Sequence, residues 1–370
     1  MFARFLYKDV IFMKKVMVGM SGGVDSSVSA LILRQQGYEV MGVTLKLFSD
    51  EDIVQAEKDG KTCCALSDVE DARSVAYRLG FEHLVFNFRD NFRECVMKNF
   101  AERYLCGRTP NPCIECNRHV KFDKMLRRAL ELEYDFIATG HYAVNEYDEK
   151  KGRYILKRPK DRTKDQTYVL YSLTQEQLRH IIFPLGNLEK SEVRRIAENA
   201  GLVNSDKPDS QDICFIPDGD YVSFIEKFTG KTVPQGDFVG MDGKILGTHK
   251  GIINYTVGQR KGLGISLGKP AYVIKKDITA NTVTLGDEKD LYTSSLIAED
   301  VNLISVAEIT EPIRVTAKTR YSQHEQPAVV SNLGNGQYMV EFDSPQRAVT
   351  SGQAVVFYDG DVVVGGGTIK

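Results

Sequence analysis

The 370-residue chain has no apolar run that approaches the length of a membrane span. Its first dozen residues, MFARFLYKDVIF, are too short for a signal peptide and lack a small-residue cleavage site. Met13, directly before the first apolar run, is a candidate start, which leaves residues 1–12 as an extension. An excess of one charge is lacking too. With a formal net charge of −2, a nucleic-acid partner has to be met by local basic patches and not by the surface as a whole. There is no convincing internal repeat or low-complexity tract. Seven cysteines, an odd number, without a secretory signal exclude a disulfide scaffold. They point to a reducing, cytoplasmic compartment and to thiols used in chemistry or metal binding. The length leaves room for two or three domains with cores of their own.

Two further absences frame the main motif, Lys14 to Ser27, KKVMVGMSGGVDSS. It has no Lys-Ser/Thr ending, which excludes a Walker loop, and no GxGxxG, which excludes a dinucleotide fingerprint. What it has is a short buried strand (Val16, Met17, Val18) and a tight turn at Ser21, Gly22 and Gly23. Asp25, Ser26 and Ser27 then open an apolar-periodic helix. Strand, glycine turn and helix N-terminus together make an anion cradle, because backbone N–H groups and the helix dipole face one point.

Alternation of strands and helices continues. YEVMGVTLKLF reads as a second strand. SDVEDARSVAYRLG reads as a helix with Ser67 as N-cap and Glu70 completing a capping box. HLVFNF is a third strand and DFIATGH a fourth, which places Gly140 and His141 at the carboxyl rim of a parallel sheet covered by helices on both faces. Residues 108–131, RTPNPCIECNRHVKFDKMLRRALE, read as a rigid loop holding a CxxC pair and running into a basic helix. KGRYILKRPKDRTKDQ carries seven basic residues between Lys151 and Lys164, either a solvated hairpin or, beside a nucleotide site, a phosphate-binding arm. Residues 174–201 read as two helices joined through Pro184 and Gly186, and DSQDICFI with Cys214 follows. From about residue 220 glycine-spaced short strands take over. The last eighty residues or so alternate strongly, with hairpin turns at Asn335-Gly336 and Asp359-Gly360. The spacing predicts an α/β domain over 13–216, a mostly β central domain over 217–291 and an all-β barrel or sandwich over 292–370.

Cys63, Cys64, Cys95 and Cys106 read as small buried hydrophobes. Cys113, Cys116 and Cys214 lie among helix-breaking or polar neighbours, and three readings stand for them. They bind zinc with His119, they pass sulfur as a persulfide and disulfide pair, or they hold an iron–sulfur cluster.

SGGVDSS, RTPNPCIECNRHVKF, ATGHY, KDQTYVLY, DSQDICFI, GQRKGLG and TRYSQ, in this order from Lys14 onward, resemble the tRNA-specific 2-thiouridylases of the MnmA type, within the ATP-pyrophosphatase (PP-loop) class. The resemblance implies an adenine-nucleotide α-hydrolase-like catalytic domain, a central tRNA-contacting domain and a C-terminal β-barrel. It implies conversion of the wobble uridine (position 34) of Lys, Glu and Gln tRNAs to 2-thiouridine, with ATP and Mg²⁺. Sulfur would come from a persulfide relay protein or a cysteine desulfurase, with no membrane involved. Carried over position by position, Gly19, Met20, Ser21, Gly22, Gly23, Val24, Asp25 and Ser26 hold ATP phosphates, with Leu45 and Gly140 near the adenosine. Cys116 matches the nucleophile and Cys214 the cysteine that receives persulfide sulfur. Asn111, Pro112 and Cys113 match the segment that meets the flipped base, and His141 and Gln353 match positions near it. Lys164, Asp165, Gln166, Arg320 and Tyr321 match tRNA contacts.

One departure stands out. Many members carry Asp where this chain has Cys113, so an account needing a carboxylate there is weakened. A three-thiolate [4Fe–4S] site on Cys113, Cys116 and Cys214 stands as the alternative to the persulfide route. Other adenylating sulfurtransferases or amidotransferases with the same loop lack the RTPNPCIECN segment. A non-catalytic tRNA-binding protein would have no need of SGGVDSS together with both family cysteines.

Overall fold

The computed structural model describes residues 13–47, 66–208 and 213–370. The N-terminal extension and the Cys63-Cys64 pair lie outside the described residues. Strand β1 (Lys15–Gly19) is the centre of the first domain. It pairs in parallel with β2 (Glu39–Lys46) on one side and β4 (Phe136–Thr139) on the other. A strand covered on both faces is apolar throughout, and Val16, Met17 and Val18 are fully buried. Val16 and Val18 pack with α1 (Val24–Gln35), with α2 (Leu66–Leu79) and with a later helix, whereas Met17 faces Phe122, Met125 and Ala129 on the opposite side. Helices therefore cover both faces, as the alternation predicts. The α2 helix already includes Leu66, so Ser67 sits in the first turn and does not cap it. Beyond β3 (His83–Asn87), α3 runs through three successive segments, Arg89–Phe92, Arg93–Lys98 and Asn99–Leu105, the middle one of π type.

The sequence reading of a loop around the CxxC pair is corrected here. Pro112 opens helix α4, which runs on through Pro112–Cys116, Asn117–Lys124 and Met125–Glu131. The Asn111 side chain caps it by accepting from the Cys113 N–H at 3.1 Å. Proline is well placed at the first helical position, where its missing N–H costs nothing; taken as a helix breaker, it disguised the helix start.

The hairpin of β5 (Val144–Asp148) and β6 (Arg153–Lys157) follows β4. Most cations of the Lys151–Lys164 run meet carboxylates: Lys157 with Glu146, Arg158 with Glu325, Lys160 with Glu192 and Arg162 with Asp361. The run lies on a hairpin and its continuation, with Lys160 and Arg162 exposed in surface ion pairs. Helix α5 (Gln175–Arg179), the short strand β7 (Ile181–Ile182), absent from the sequence reading, and α6 (Lys190–Asn199) complete the domain. The sheet order is β3-β2-β1-β4-β7.

Helix α7 (Tyr221–Thr229) leads into a four-stranded sheet of β8 (Gly236–Val239), β9 (Ile245–His249), β10 (Tyr272–Asp277) and β11 (Thr282–Gly286). Six strands then close a barrel: β12 (Tyr292–Leu303), β13 (Ile313–Lys318), β14 (Gln326–Gly334), β15 (Gln337–Arg347), β16 (Ala354–Asp359) and β17 (Val362–Ile369). Closure comes from β12 pairing with β17, and the β5–β6 hairpin of the first domain adds to the outer edge of β17. Asn335 and Gly336, at φ 52° and 72°, form the expected hairpin turn. The second turn lies one residue later than expected, at Gly360-Asp361, because Asp359 still pairs with Val362.

Strand β17 carries Gly365, Gly366 and Gly367 because the barrel wall is crowded there. A Cβ at Gly365 would lie 2.4 Å from the Asn302 carbonyl oxygen, and one at Gly366 would lie 2.7 Å from the Tyr171 ring. Overpacking of this kind typically costs about 1–3 kcal/mol. Gly366→Ala is therefore expected to lower the apparent midpoint of thermal unfolding by several degrees relative to wild type, as read by circular dichroism.

Candidate active site

The strand order reverses between β1 and β4, and ligands of α/β sheets bind beyond the carboxyl ends of the strands at such a point. The SGGVDSS turn sits there. Gly22 has φ +74°, and a Cβ on it would lie 2.4 Å from the Asp68 carbonyl oxygen, so the turn tolerates only glycine. Gly23 is the N-cap of α1 and supplies no capping side chain. Ser26 draws the turn shut, its Oγ accepting from the Ser21 N–H at 3.3 Å and donating to the Gly23 carbonyl at 3.0 Å. At the end of β4, a Cβ on Gly140 would lie 2.8 Å from the Ser26 nitrogen, so β4 meets the start of α1 backbone to backbone. Met20 and Val24 are buried beneath the turn, and Leu45 lines the end of β2.

Sequence reasoning missed three supports of this cradle. Asn204, 3% exposed, donates to the Gly22 carbonyl at 2.8 Å and to Ser27 Oγ at 2.9 Å. Lys190, at the start of α6, reaches both carboxylate oxygens of Asp25 at 2.7 Å, and the Tyr142 hydroxyl donates to the same carboxylate at 2.9 Å. Lys207 bridges Asp68 and Asp71 beside Gly22. All come from more than a hundred residues away, and nothing in the local pattern marks them.

His141 follows at the rim. Its Nδ1 shares a hydrogen bond of 2.7 Å with Thr139 Oγ1, and its ring packs against Phe122 and Phe183. Burial, with Lys121 adding to it, pushes its pKa well below the usual histidine value, so the ring is neutral at physiological pH. Gln166 accepts from the Tyr142 N–H at 2.8 Å and so anchors the segment after His141.

The cysteines divide into two environments. Cys116 is buried in an apolar cluster with Leu47, Phe92, Val96 and Val120, and Cys95 and Cys214 pack against that cluster. Cys113, one turn earlier on α4, is exposed. It stands within electrostatic reach of the Tyr321 hydroxyl. Among the described residues no group of three His, Cys, Asp or Glu gathers in a way that suits a metal ion. His119 instead faces Glu115 at 3.3 Å, one helical turn away.

The barrel holds the N-terminus of α4 in place. The Thr109 N–H donates to the Ser351 carbonyl at 2.9 Å, and Gln353 donates to the Thr109 carbonyl at 2.8 Å. A register shift in β12 between Glu299 and Asn302 brings out Asp300, at φ +52°, toward α4. There Asp300 takes Arg118 in a two-point pair at 2.5 and 3.2 Å, and Glu299 takes Arg108 at 2.7 Å. Asp165 accepts from the Thr167 N–H and hydroxyl, Tyr168 donates to the Ala354 carbonyl, and Asn302 donates to the Tyr171 and Leu173 carbonyls. The KDQTYVLY stretch thus joins the first domain to the barrel. Arg320 donates through one nitrogen to the Ala348 carbonyl, the Thr350 hydroxyl and the Val257 carbonyl, at the seam with the middle sheet. Lys164 is half-buried beside that stretch, and Tyr321 is exposed.

This arrangement has relatives. Residues 14–218 match the tRNA methyl transferase HUP domain model, 222–287 the tRNA methyl transferase PRC-barrel domain and 293–369 the aminomethyltransferase beta-barrel domain. A tRNA-specific 2-thiouridylase MnmA from Acetivibrio thermocellus is 57% identical over 96% of this chain and 99% of its own. The chain belongs to the MnmA family. A second MnmA, from Clostridioides difficile, is 53% identical over 96% of this chain and 98% of its own. Among solved structures, a 4-thiouridine synthetase–RNA complex with bound ATP matches at 17% identity and TM-score 0.32, over 59% of this chain and 50% of that one. That likeness is too slight to carry an argument. The fold, a HUP-type α/β domain, a PRC-barrel middle domain and a closed β-barrel, agrees with the sequence reading of the class. No helix of the described residues is long and apolar enough to cross a membrane.

Because a Cβ at residue 140 invades the cradle, Gly140→Ala is expected to weaken ATP binding by about tenfold or more, a loss above 1.4 kcal/mol, in equilibrium dialysis. A second expectation concerns pH. His83, which shares a hydrogen bond with Thr44, is pushed down from 6.5 to about 4 by burial and by Arg73. Between those values the unfolded chain binds the proton and the folded chain does not. The stability contribution is therefore complete above pH 6.5 and is lost as pH falls toward 4. His83→Gln should flatten that part of the urea-midpoint profile.

Proposed function

We propose that this chain is a tRNA-uridine 2-sulfurtransferase acting in the cytoplasm on the wobble uridine of Lys, Glu and Gln tRNAs. The observation that carries this reading is the shared environment of Cys116 and Cys214. Two thiols from segments far apart in sequence pack against one apolar cluster, and Leu45 links that cluster to the core under the nucleotide cradle.

The cradle suits a nucleotide phosphate chain. The glycine-only turn, the α1 N-terminus without a capping side chain and the backbone approach at Gly140 leave N–H groups for anionic oxygens. Gly19 to Ser26 would hold ATP there, with Mg²⁺ screening its charge. When bound, ATP supplies the adenylyl group that turns the C2 oxygen of uridine into a leaving group. Cys116 lies one helical turn beyond Cys113 on α4 and faces the apolar cluster against which Cys214 packs. In the proposed sulfur route, Cys214 receives a persulfide from a relay protein or a cysteine desulfurase. The Cys116 thiolate attacks the inner sulfur of that persulfide. A Cys116–Cys214 disulfide forms, the sulfur–sulfur bond of the persulfide breaks, and hydrosulfide leaves to attack C2. An external dithiol then reduces the disulfide. Asn111, Pro112 and Cys113 stand at the same helix start, held by Gln353 and Ser351 of the barrel, where the flipped base would enter.

The alternative, a [4Fe–4S] cluster on Cys113, Cys116 and Cys214, is motivated by the third cysteine alone. The donor arrangement does not fit it, since Cys113 is exposed and stands outside the cluster around Cys116.

Cys116→Ser and Cys214→Ser are each expected to lower tRNA thiolation by at least about a hundredfold while ATP binding is kept. Cys113→Ser should keep more than about a tenth of the activity. Loss of thiolation in Cys113→Ser, together with loss of iron and acid-labile sulfide from anaerobically purified protein, would overturn the persulfide route.

A further inference from the structure

The glycine-rich segment GQRKGLGISLGKP of the middle domain has no part in the chemistry above. It is a built loop. Gly258, Gly262, Gly264 and Gly268 all have positive φ, between 69° and 90°. Gln259 braces the turn, accepting from the Thr256 N–H at 3.1 Å and donating to the Lys261 carbonyl at 3.0 Å. Leu263 is buried in the middle-domain core and pins the loop from beneath. Arg260 and Lys261 are exposed on the braced turn and have no ion-pair partner among the described residues. The cations of the Lys151–Lys164 run differ in this respect, most being matched by carboxylates. A hollow of about 410 Å³ opens beside Arg260, lined by the loop itself.

The loop begins at the seam with the barrel. A Cβ on Gly258 would lie 2.7 Å from the Ala348 methyl, 3.8 Å from a guanidinium nitrogen of Arg347 and 3.9 Å from one of Arg320. Two guanidinium groups are thus held within about 8 Å of each other. Arg347 lies over the Tyr272 ring and pairs with Glu288 at 3.5 Å. Lys269, at the far end of the loop, is taken up by Asp287. Burial and the nearby Arg347 both lower the Arg320 pKa. Next to Arg320 stands the exposed ring of Tyr321, within electrostatic reach of Cys113. The loop that carries Arg260 and Lys261 therefore begins beside Arg320 and Arg347, next to Tyr321.

The geometry points to a phosphate track: Arg260 and Lys261, with Arg347 at the seam, bind the sugar–phosphate backbone of the tRNA whose wobble base enters at Cys113. This rests on the tRNA-modifying reading above and adds the surface that holds the rest of the RNA. Fixed cations on a braced loop contact phosphates without reading sequence, so they set affinity and salt dependence for every substrate tRNA alike.

The test is tRNA binding to wild type and Arg260→Ala/Lys261→Ala across a range of salt concentrations, with ATP binding as the control for folding. Affinity for a substrate tRNA is expected to fall about tenfold at ~0.1 M salt, and the slope of log K against log salt to become shallower by about two. Unchanged tRNA affinity and slope in a variant that still binds ATP would overturn the track. So would intact tRNA binding with a loss of affinity for a persulfide-charged sulfur donor, because the surface would then belong to a protein. Failure of the wild-type protein to thiolate tRNA would instead sink the functional reading, which keeps the two outcomes apart.

Discussion

The register shift in β12 is the constraint on which the rest of the molecule depends. By pushing Asp300 and Glu299 out of the barrel wall it gives Arg118 and Arg108 their carboxylates. Those two arginines flank the N-terminus of α4. A two-point arginine–carboxylate pair fixes orientation as well as distance, so the barrel sets where the start of that helix, with Cys113 and Cys116, points. Asn302, at the other edge of the shift, ties the same strand to the Tyr171 and Leu173 carbonyls. The cysteine helix is thus fixed by a domain that contributes none of the three thiols.

The nucleotide cradle is supported in a comparable way from a distance. Its turn is short and mostly glycine, so it has few side chains to stiffen it. Asn204, Lys190 and Lys207 do this from elements that follow much later in the chain. Lys190 in particular fixes the Asp25 carboxylate at the start of α1 from both oxygens. The turn is therefore held in place by segments that are distant in the chain.

Much of this was legible in the sequence where local physics decides. A continuous apolar run covered on both faces marks β1, and Gly22 is required by backbone conformation and by contact with Asp68. The Asn335-Gly336 turn follows from the left-handed φ that those residues accept. The failures have causes too. Pro112 and Asn111 read as a loop in the sequence, although a helix start uses the same residues. The two-residue β7 is too short to leave a periodic signal. The basic run from Lys151 to Lys164 gives no sign of its carboxylate partners, because Glu192, Glu325 and Asp361 lie far away in sequence. Within the cysteine set, spacing drew attention to Cys113 beside Cys116. Packing instead places Cys95, one turn of α3 away from Phe92, against the Cys116 cluster.

Strand β17 follows every other element in chain order, yet it pairs with β16, closes the barrel on β12 and receives the β6 edge of the first domain. During synthesis the hairpin and the first five barrel strands are therefore made with three open edges, on β6, β12 and β16. None of them can be satisfied until Val362 to Ile369 leaves the ribosome. Contacts spanning such long stretches of chain form slowly. The barrel, and with it the Asp300 contact that orients α4, closes only after the first domain has been made. A nascent chain thus has its nucleotide cradle well before its cysteines are held in working order.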